Sequence, residues 1–140
     1  MKVIHFYAPK RGTSFVFHIG TLLLLITGFI AAGFRAQAQC PGSALTLSSQ
    51  AEVDNFASDY PGCFLLPVSL TISGSDITNL NGLSVLNEFD NSFANPSLTI
   101  ESNPVLTNLT GLSGLSFIPG GLTIFDNGTL ANLNGLNNIT

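Results

Sequence analysis

Ser69-Leu70-Thr71-Ile72 … Asn79-Leu80-Asn81-Gly82-Leu83, Ser97-Leu98-Thr99-Ile100 … Asn108-Leu109-Thr110-Gly111-Leu112 and Gly121-Leu122-Thr123-Ile124 … Asn132-Leu133-Asn134-Gly135-Leu136 write one two-part pattern three times. Read from Leu70 to Leu98 to Leu122, the period is 28 and then 24 residues. Such a period marks a stack of similar coils, each too small to bury its own apolar side chains. The alternation in Leu-Thr-Ile predicts a short strand with Leu and Ile inward and Thr outward. Turn residues follow, as Gly74-Ser75-Asp76, Ser102-Asn103-Pro104 and Asp126-Asn127-Gly128. The second half adds inward Leu80, Leu109 and Leu133, then Leu83, Leu112 and Leu136. Its Gly is read as a bend that a side chain would obstruct. The recurring Asn79, Asn108 and Asn132 are expected to form a ladder that satisfies buried backbone groups. Leu115 and Ile118 extend the spacing toward the third strand. Ser84 to Pro96 is longer than its counterpart and is read as an excursion from the first coil.

The expected fold is therefore mainly β, a short parallel-strand solenoid over residues 69–140. Residues 39–68 precede it as a cap. Ser49 and Glu52 form a capping box, and Val53, Phe56, Ala57 and Tyr60 make one apolar helical stripe ended by Pro61-Gly62. This helix is expected to cover the open end of the stack. Cys40 and Cys63 bracket it. An exported chain meets an oxidising compartment, so the two are expected to be bonded, which stabilises the fold by about 3 kcal/mol. Two thiols without histidine do not complete a zinc tetrahedron.

Residues 1–38 read as a cleavable export signal. Lys2, Lys10 and Arg11 are its positive region, Phe15 to Phe34 its apolar run, and Ala36-Gln37-Ala38 its cleavage box. The competing readings are a retained membrane anchor, since the run is long enough to span, and a lipid-anchored Cys40. Gln39 before Cys40 opposes the second. At the other end, no polar closing cap follows Leu136. The expectation is an N-terminal portion of a longer protein, or an incomplete reading frame.

Charge excludes several functions. All four basic residues and both histidines lie within residues 1–35, so the eight carboxylates leave a charge of −8 on residues 39–140. Nucleic-acid binding needs cations to displace counterions, and there are none. Nucleophile systems built on His, and Schiff bases built on Lys, are absent for the same reason.

The order Cys40-Pro41-Gly42, Leu47-Ser48-Ser49-Gln50-Ala51-Glu52-Val53-Asp54-Asn55-Phe56, Tyr60-Pro61-Gly62-Cys63, then Leu-Thr-Ile and Asn-Leu-x-Gly-Leu coils, resembles bacterial secreted proteins with receptor-L-domain-like, leucine-rich-repeat-like repeats. The resemblance covers nearly all of residues 40–140. It implies a right-handed coil of short parallel strands and a role in adhesion or recognition. It implies no catalytic residues. Longer members often end in a C-terminal sorting domain for outer-membrane export.

The candidate binding residues are Thr71, Thr99, Glu101, Thr123 and Phe125 on the outward strand face, presented to a protein or glycan ligand. Phe125 would supply a stacking platform. The bland alternative is that Thr sits there for β-propensity. A threonine array also evokes ice-binding coils, although here it is one Thr per coil across three coils. Calcium is the only cofactor considered, at Glu101, Asp126 and Asn127, which lack the regular spacing of a dedicated loop. Glu101 with Asp126 is the one carboxylate pair for a glycoside hydrolase. Asn108-Leu109-Thr110, Asn127-Gly128-Thr129 and Asn138-Ile139-Thr140 fit the glycosylation pattern, which arises readily in such repeats. The expected function is an exported, non-enzymatic recognition or adhesion module at the cell surface or secreted. The alternatives are a structural spacer and a secreted hydrolase. Membrane contact is expected only through an uncleaved leader.

Overall fold

A computed structural model describes residues 39–92 and 94–140; the expected leader at 1–38 lies outside the described residues. In chain order the elements are β1 (Leu45–Leu47), α1 (Gln50–Asp59), β2 (Leu65–Leu66), β3 (Leu70–Ile72), β4 (Glu88–Phe89), β5 (Leu98–Glu101) and β6 (Leu122–Phe125). Two single 3-10 turns, Asn81–Leu83 and Thr110–Leu112, lie between strands. The described residues are thus β-rich, with their strands in parallel sheets and one α-helix.

The larger sheet has the order β1-β3-β5-β6, parallel throughout. Leu70, Leu98 and Leu122 are register partners, as are Ile72, Ile100 and Ile124. Parallel neighbours need a crossover: from β3 to β5 and from β5 to β6 it is one copy of the sequence pattern, and from β1 to β3 it carries the helix α1. The smaller sheet pairs β2 with β4, and Phe117 extends it by a bridge to Glu88. Between the sheets, the chain bends through Leu80 to Leu83 and again through Leu109 to Leu112, where the 3-10 turns pack on one another.

The core runs up the middle. Leu70, Ile72, Leu80, Leu83, Leu98, Ile100, Leu109 and Leu112 are all buried. Ile77 and Leu106 join them from inside the turns. In the β6 tier the same positions are only partly covered: Leu109 is fully buried, whereas Leu133 is 56% exposed. Gly82, Gly111 and Gly135 repeat for a packing reason. A Cβ on each would fall within about 2 Å of the carbonyl oxygen of Val53, Leu80 or Leu109 in the preceding tier.

Three expectations need correction. First, the cap does not end at residue 68 as a separate lid. Leu45-Thr46-Leu47 is itself a strand of the main sheet, paired with β3. The helix α1 takes the place that 3-10 turns occupy later, packing on Asn81–Leu83 with Val53 and Phe56 buried and Ala57 exposed. Second, residues 84–96 are not simply an excursion. Leu86, Phe89 and Pro96 are buried, and β4 is a strand of the second sheet. Third, Asn79, Asn108 and Asn132 form no ladder. Each side-chain oxygen accepts the N–H two residues ahead, of Asn81, Thr110 and Asn134, at 3.0–3.2 Å. These are local Asx turns that shape the bend.

The ladder exists elsewhere, on Asn103 and Asn127. Asn103 is fully buried. Its Oδ1 accepts the Gly74 N–H at 2.8 Å, and its Nδ2 donates to the Ile72 and Glu101 carbonyls at 3.0 and 2.8 Å. Asn127 repeats the scheme one tier on. Its Oδ1 accepts from Asn103 N and Nδ2 at 3.1 and 2.9 Å, and its Nδ2 donates to the Ile100 and Phe125 carbonyls.

Candidate functional site

The larger sheet carries the residues expected to bind. Because Leu and Ile point inward at every step, the pleat turns the residue between them outward. Thr71, Thr99 and Thr123 are register partners, and Thr46 of β1 aligns with Thr71. Four threonines therefore stand in one column, at strand spacing of about 4.8 Å. Thr46 and Thr123 at the two ends are exposed, while Thr71 and Thr99 are half-covered by their neighbours.

Two further rows flank the column. On one side Ser69 and Ser97 are joined, with the Ser97 N–H donating to Ser69 Oγ at 3.0 Å. On the other, Glu101 lies opposite Phe125 in the β5–β6 register. Phe125 is 50% exposed, so an aromatic ring stands beside a carboxylate at one corner of a hydroxyl-bearing face. Thr71, Thr99, Glu101, Thr123 and Phe125 thus occupy one sheet face. Thr46 was missed. Its strand reads Leu-Thr-Leu instead of Leu-Thr-Ile, and it stands close before a helix that drew the whole segment into the cap. The available signal was its position one repeat length upstream of Leu70-Thr71-Ile72.

Of the residues expected for calcium, Glu101 ends β5, and Asp126 and Asn127 follow the end of the neighbouring strand β6. Asn127 Oδ1 already accepts two hydrogen bonds from Asn103. Asp126 Oδ2 accepts the Ser102 hydroxyl at 3.3 Å, both residues having positive φ at matching turns. Among the described residues no group of three or more His, Cys, Asp or Glu is placed to hold a metal. Glu101 and Asp126, the hydrolase pair, differ in surroundings: Glu101 is half-buried in the strand beside Phe125, and Asp126 stands in the exposed turn beyond it.

Outside this face, Cys40 and Cys63 form a disulfide, with Cα atoms 5.0 Å apart. A bonded pair is compatible with an extracellular protein. The disulfide borders a shallow cleft of about 440 Å³, lined by residues 39–45 with Asp59 and Tyr60. It holds no cation and one carboxylate. A second exposed apolar group lies on the smaller sheet, where Leu65, Glu88 and Phe117 are outward neighbours and Phe64 is 53% exposed. No helix among the described residues is long and apolar enough to cross a membrane.

Two carboxyls are held below their usual range, both away from the threonine face. Glu52 is lowered first by the Ser48 backbone N–H and then by the Ser48 hydroxyl, at 2.6 and 2.9 Å. Asp90 is lowered first by the Ser92 hydroxyl and then by its N–H. Compared with known proteins, the chain matches no family model, no curated protein and no solved structure.

Proposed function

We infer that this chain is an exported, non-enzymatic recognition or adhesion module, built as a receptor-L-domain-like, leucine-rich-repeat-like solenoid, that engages its ligand through the outer face of the larger sheet. The observation that carries the reading is the alignment of Thr46, Thr71, Thr99 and Thr123, with Glu101 and Phe125 beside them. A rigid parallel sheet holds the hydroxyls in place before the ligand arrives, so little side-chain ordering remains to oppose binding. Thr and Phe offer hydroxyl contacts and a stacking surface, which suit the faces and edges of sugar rings or an extended protein segment. Charge narrows the ligand. Residues 39–140 carry eight carboxylates and no cation. Anionic glycans, nucleic acids and acidic membranes are repelled, so the ligand is neutral or basic.

Binding is measured on a glycan array and by pull-down from cell-surface extracts. Phe125→Ala and Thr99→Lys, both at outward positions, are expected to abolish the signal while leaving the unfolding midpoint within about 1 kcal/mol of the parent. A signal unchanged in both variants removes the face from the binding role. Loss of a hydrolytic activity on Glu101→Gln would favour the enzyme reading in its place.

A further inference from the structure

Gln39 directly follows the cleavage box Ala36-Gln37-Ala38, and a cut after the box makes it the N-terminus. The fold anchors its backbone. The Gln39 N–H donates to the Pro61 carbonyl at 3.2 Å, and the next residue, Cys40, is bonded to Cys63 with Cα atoms 5.0 Å apart. Its side chain is not anchored. Gln39 is exposed at the rim of the cleft beside Asp59 and Tyr60, and among the described residues no hydrogen bond holds its carboxamide.

A glutamine at an N-terminus has an intramolecular reaction open to it. The α-amine, with a pKa of about 8, is in part neutral and nucleophilic near neutral pH. It attacks its own side-chain carbon Cδ and closes a pyrrolidone ring. The N–Cδ bond forms, the Cδ–Nε2 bond breaks, and Nε2 takes an amine proton and leaves as ammonia. No oxidant, metal or cofactor enters the balance. The ring keeps one N–H, so the Pro61 carbonyl keeps a donor while the terminal charge is lost.

The composition gives this step its consequence. Residues 39–140 hold no lysine, arginine or histidine, so the α-amine of Gln39 would be the only cation of the cleaved chain and its only primary amine. Ring closure removes that cation. It also removes the free amine by which an aminopeptidase grips a chain end, at a terminus where Gly42, Ser43 and Ala44 are all exposed.

We propose that Gln39 is a modification site: after export and cleavage its α-amine closes on its own side chain, and the protein carries an N-terminal pyroglutamate. The proposal rests on the export reading and goes beyond it, because it names the bond that is cut and the chemical state of the new terminus. It makes no use of the threonine face.

The full precursor, residues 1–140, is produced in a bacterial host that exports it, and the exported protein is weighed intact. A second sample is treated with an amine-reactive succinimidyl ester. The expected result is the mass of residues 39–140 with the cysteines joined and one ammonia lost, and no uptake of label. The Gln39→Ala precursor has no carboxamide to close on. It is expected to take up the label at its terminus, and to lose its first residue to an aminopeptidase that leaves the parent intact. A parent chain that starts at Gln39, keeps its ammonia and takes up the label overturns the proposal while leaving export and cleavage standing. A chain that stays inside the cell, keeps its leader or starts at a lipid-bearing Cys40 overturns the export or cleavage reading, and the proposal with it.

Discussion

Asn103 is the single side chain on which the turn geometry rests most heavily. It is fully buried and reaches Gly74, Ile72, Glu101 and Asn127, so it ties three tiers with one carboxamide. Truncation would strand a buried N–H and a buried carbonyl, each costing about 1–3 kcal/mol. Asn103→Ala is therefore expected to destabilise the fold by about 2–4 kcal/mol in urea unfolding, with the slope unchanged. Asn132 is an exposed asparagine bonded only to the Asn134 N–H, and Asn132→Ala is expected to lose less than about 1 kcal/mol. Equal losses in the two variants would contradict the assignment of the ladder. The sequence pointed to the wrong asparagines for a physical reason. Asn79, Asn108 and Asn132 recur in all three copies because each copy needs the same local turn. The ladder needs a residue buried between tiers, and the first copy has no asparagine there: Gly74 supplies a bare N–H. Recurrence reports local geometry as readily as burial.

At the scale of elements, α1 shows how a different piece of secondary structure fills a repeated position. In the later tiers a backbone carbonyl receives the turn that follows: the Thr107 N–H donates to the Thr78 carbonyl at 3.3 Å. The first tier has a helix there and no such carbonyl. Gln50 substitutes its side chain, whose Oε1 accepts the Thr78 and Asn79 N–H groups at 2.8 and 3.2 Å. The side-chain amide thus does the work of a peptide group. The helix start is fixed by Ser49, which accepts the Glu52 N–H at 3.3 Å, and by Glu52 itself. Its carboxylate bonds chiefly to the Ser48 N–H and hydroxyl, one position further back than a capping box implies, with Ser49 as a smaller contributor. These bonds to the ionised form hold the Glu52 carboxyl below its ordinary value. A folded-state value lowered relative to the unfolded chain adds stability above the unfolded value, and that stability is lost as pH falls through the folded one. Glu52→Gln is therefore expected to flatten the part of the acid dependence that lies below the ordinary glutamate range, with little change in slope near neutrality. Urea midpoints across the acid range check this; an unchanged acid slope would count against it. The helix itself was legible from its capping residues and from Val53 and Phe56. The strand before it was not, because three residues of Leu-Thr-Leu carry too little periodicity to stand apart from a helix signal that begins two residues later.

For the molecule as a whole, the inward columns were legible because burial enforces them in the β3 and β5 tiers: a one-residue slip would turn Leu98 and Ile100 to solvent. The smaller sheet was not, since β2 and β4 are two residues long and their pairing depends on where the bends bring them. The candidate face was legible only in part, because the outward residues of a strand are constrained by what they meet outside the chain. Charge is legible in full, and it governs how the molecule responds to salt. Residues 39–140 hold eight carboxylates and no lysine, arginine or histidine, so salt has self-repulsion to screen and no ion pair between side chains to weaken. Most folded domains carry both signs, and the two effects oppose one another. Here they do not. Raising sodium chloride from about 0.01 M to about 0.3 M shortens the screening length from roughly 30 Å to below 10 Å, which covers most separations on a domain of this size. The chain beginning at Gln39 is therefore expected to unfold at a temperature higher by about 2–5 °C, an increase that is monotonic and levels off once the carboxylates are screened from one another. The same titration at a pH where the carboxyls are protonated should show almost no dependence, which separates screening from the general effect of salt on apolar burial. A midpoint that falls with salt would mean that a favourable ionic contact exists which these residues do not supply.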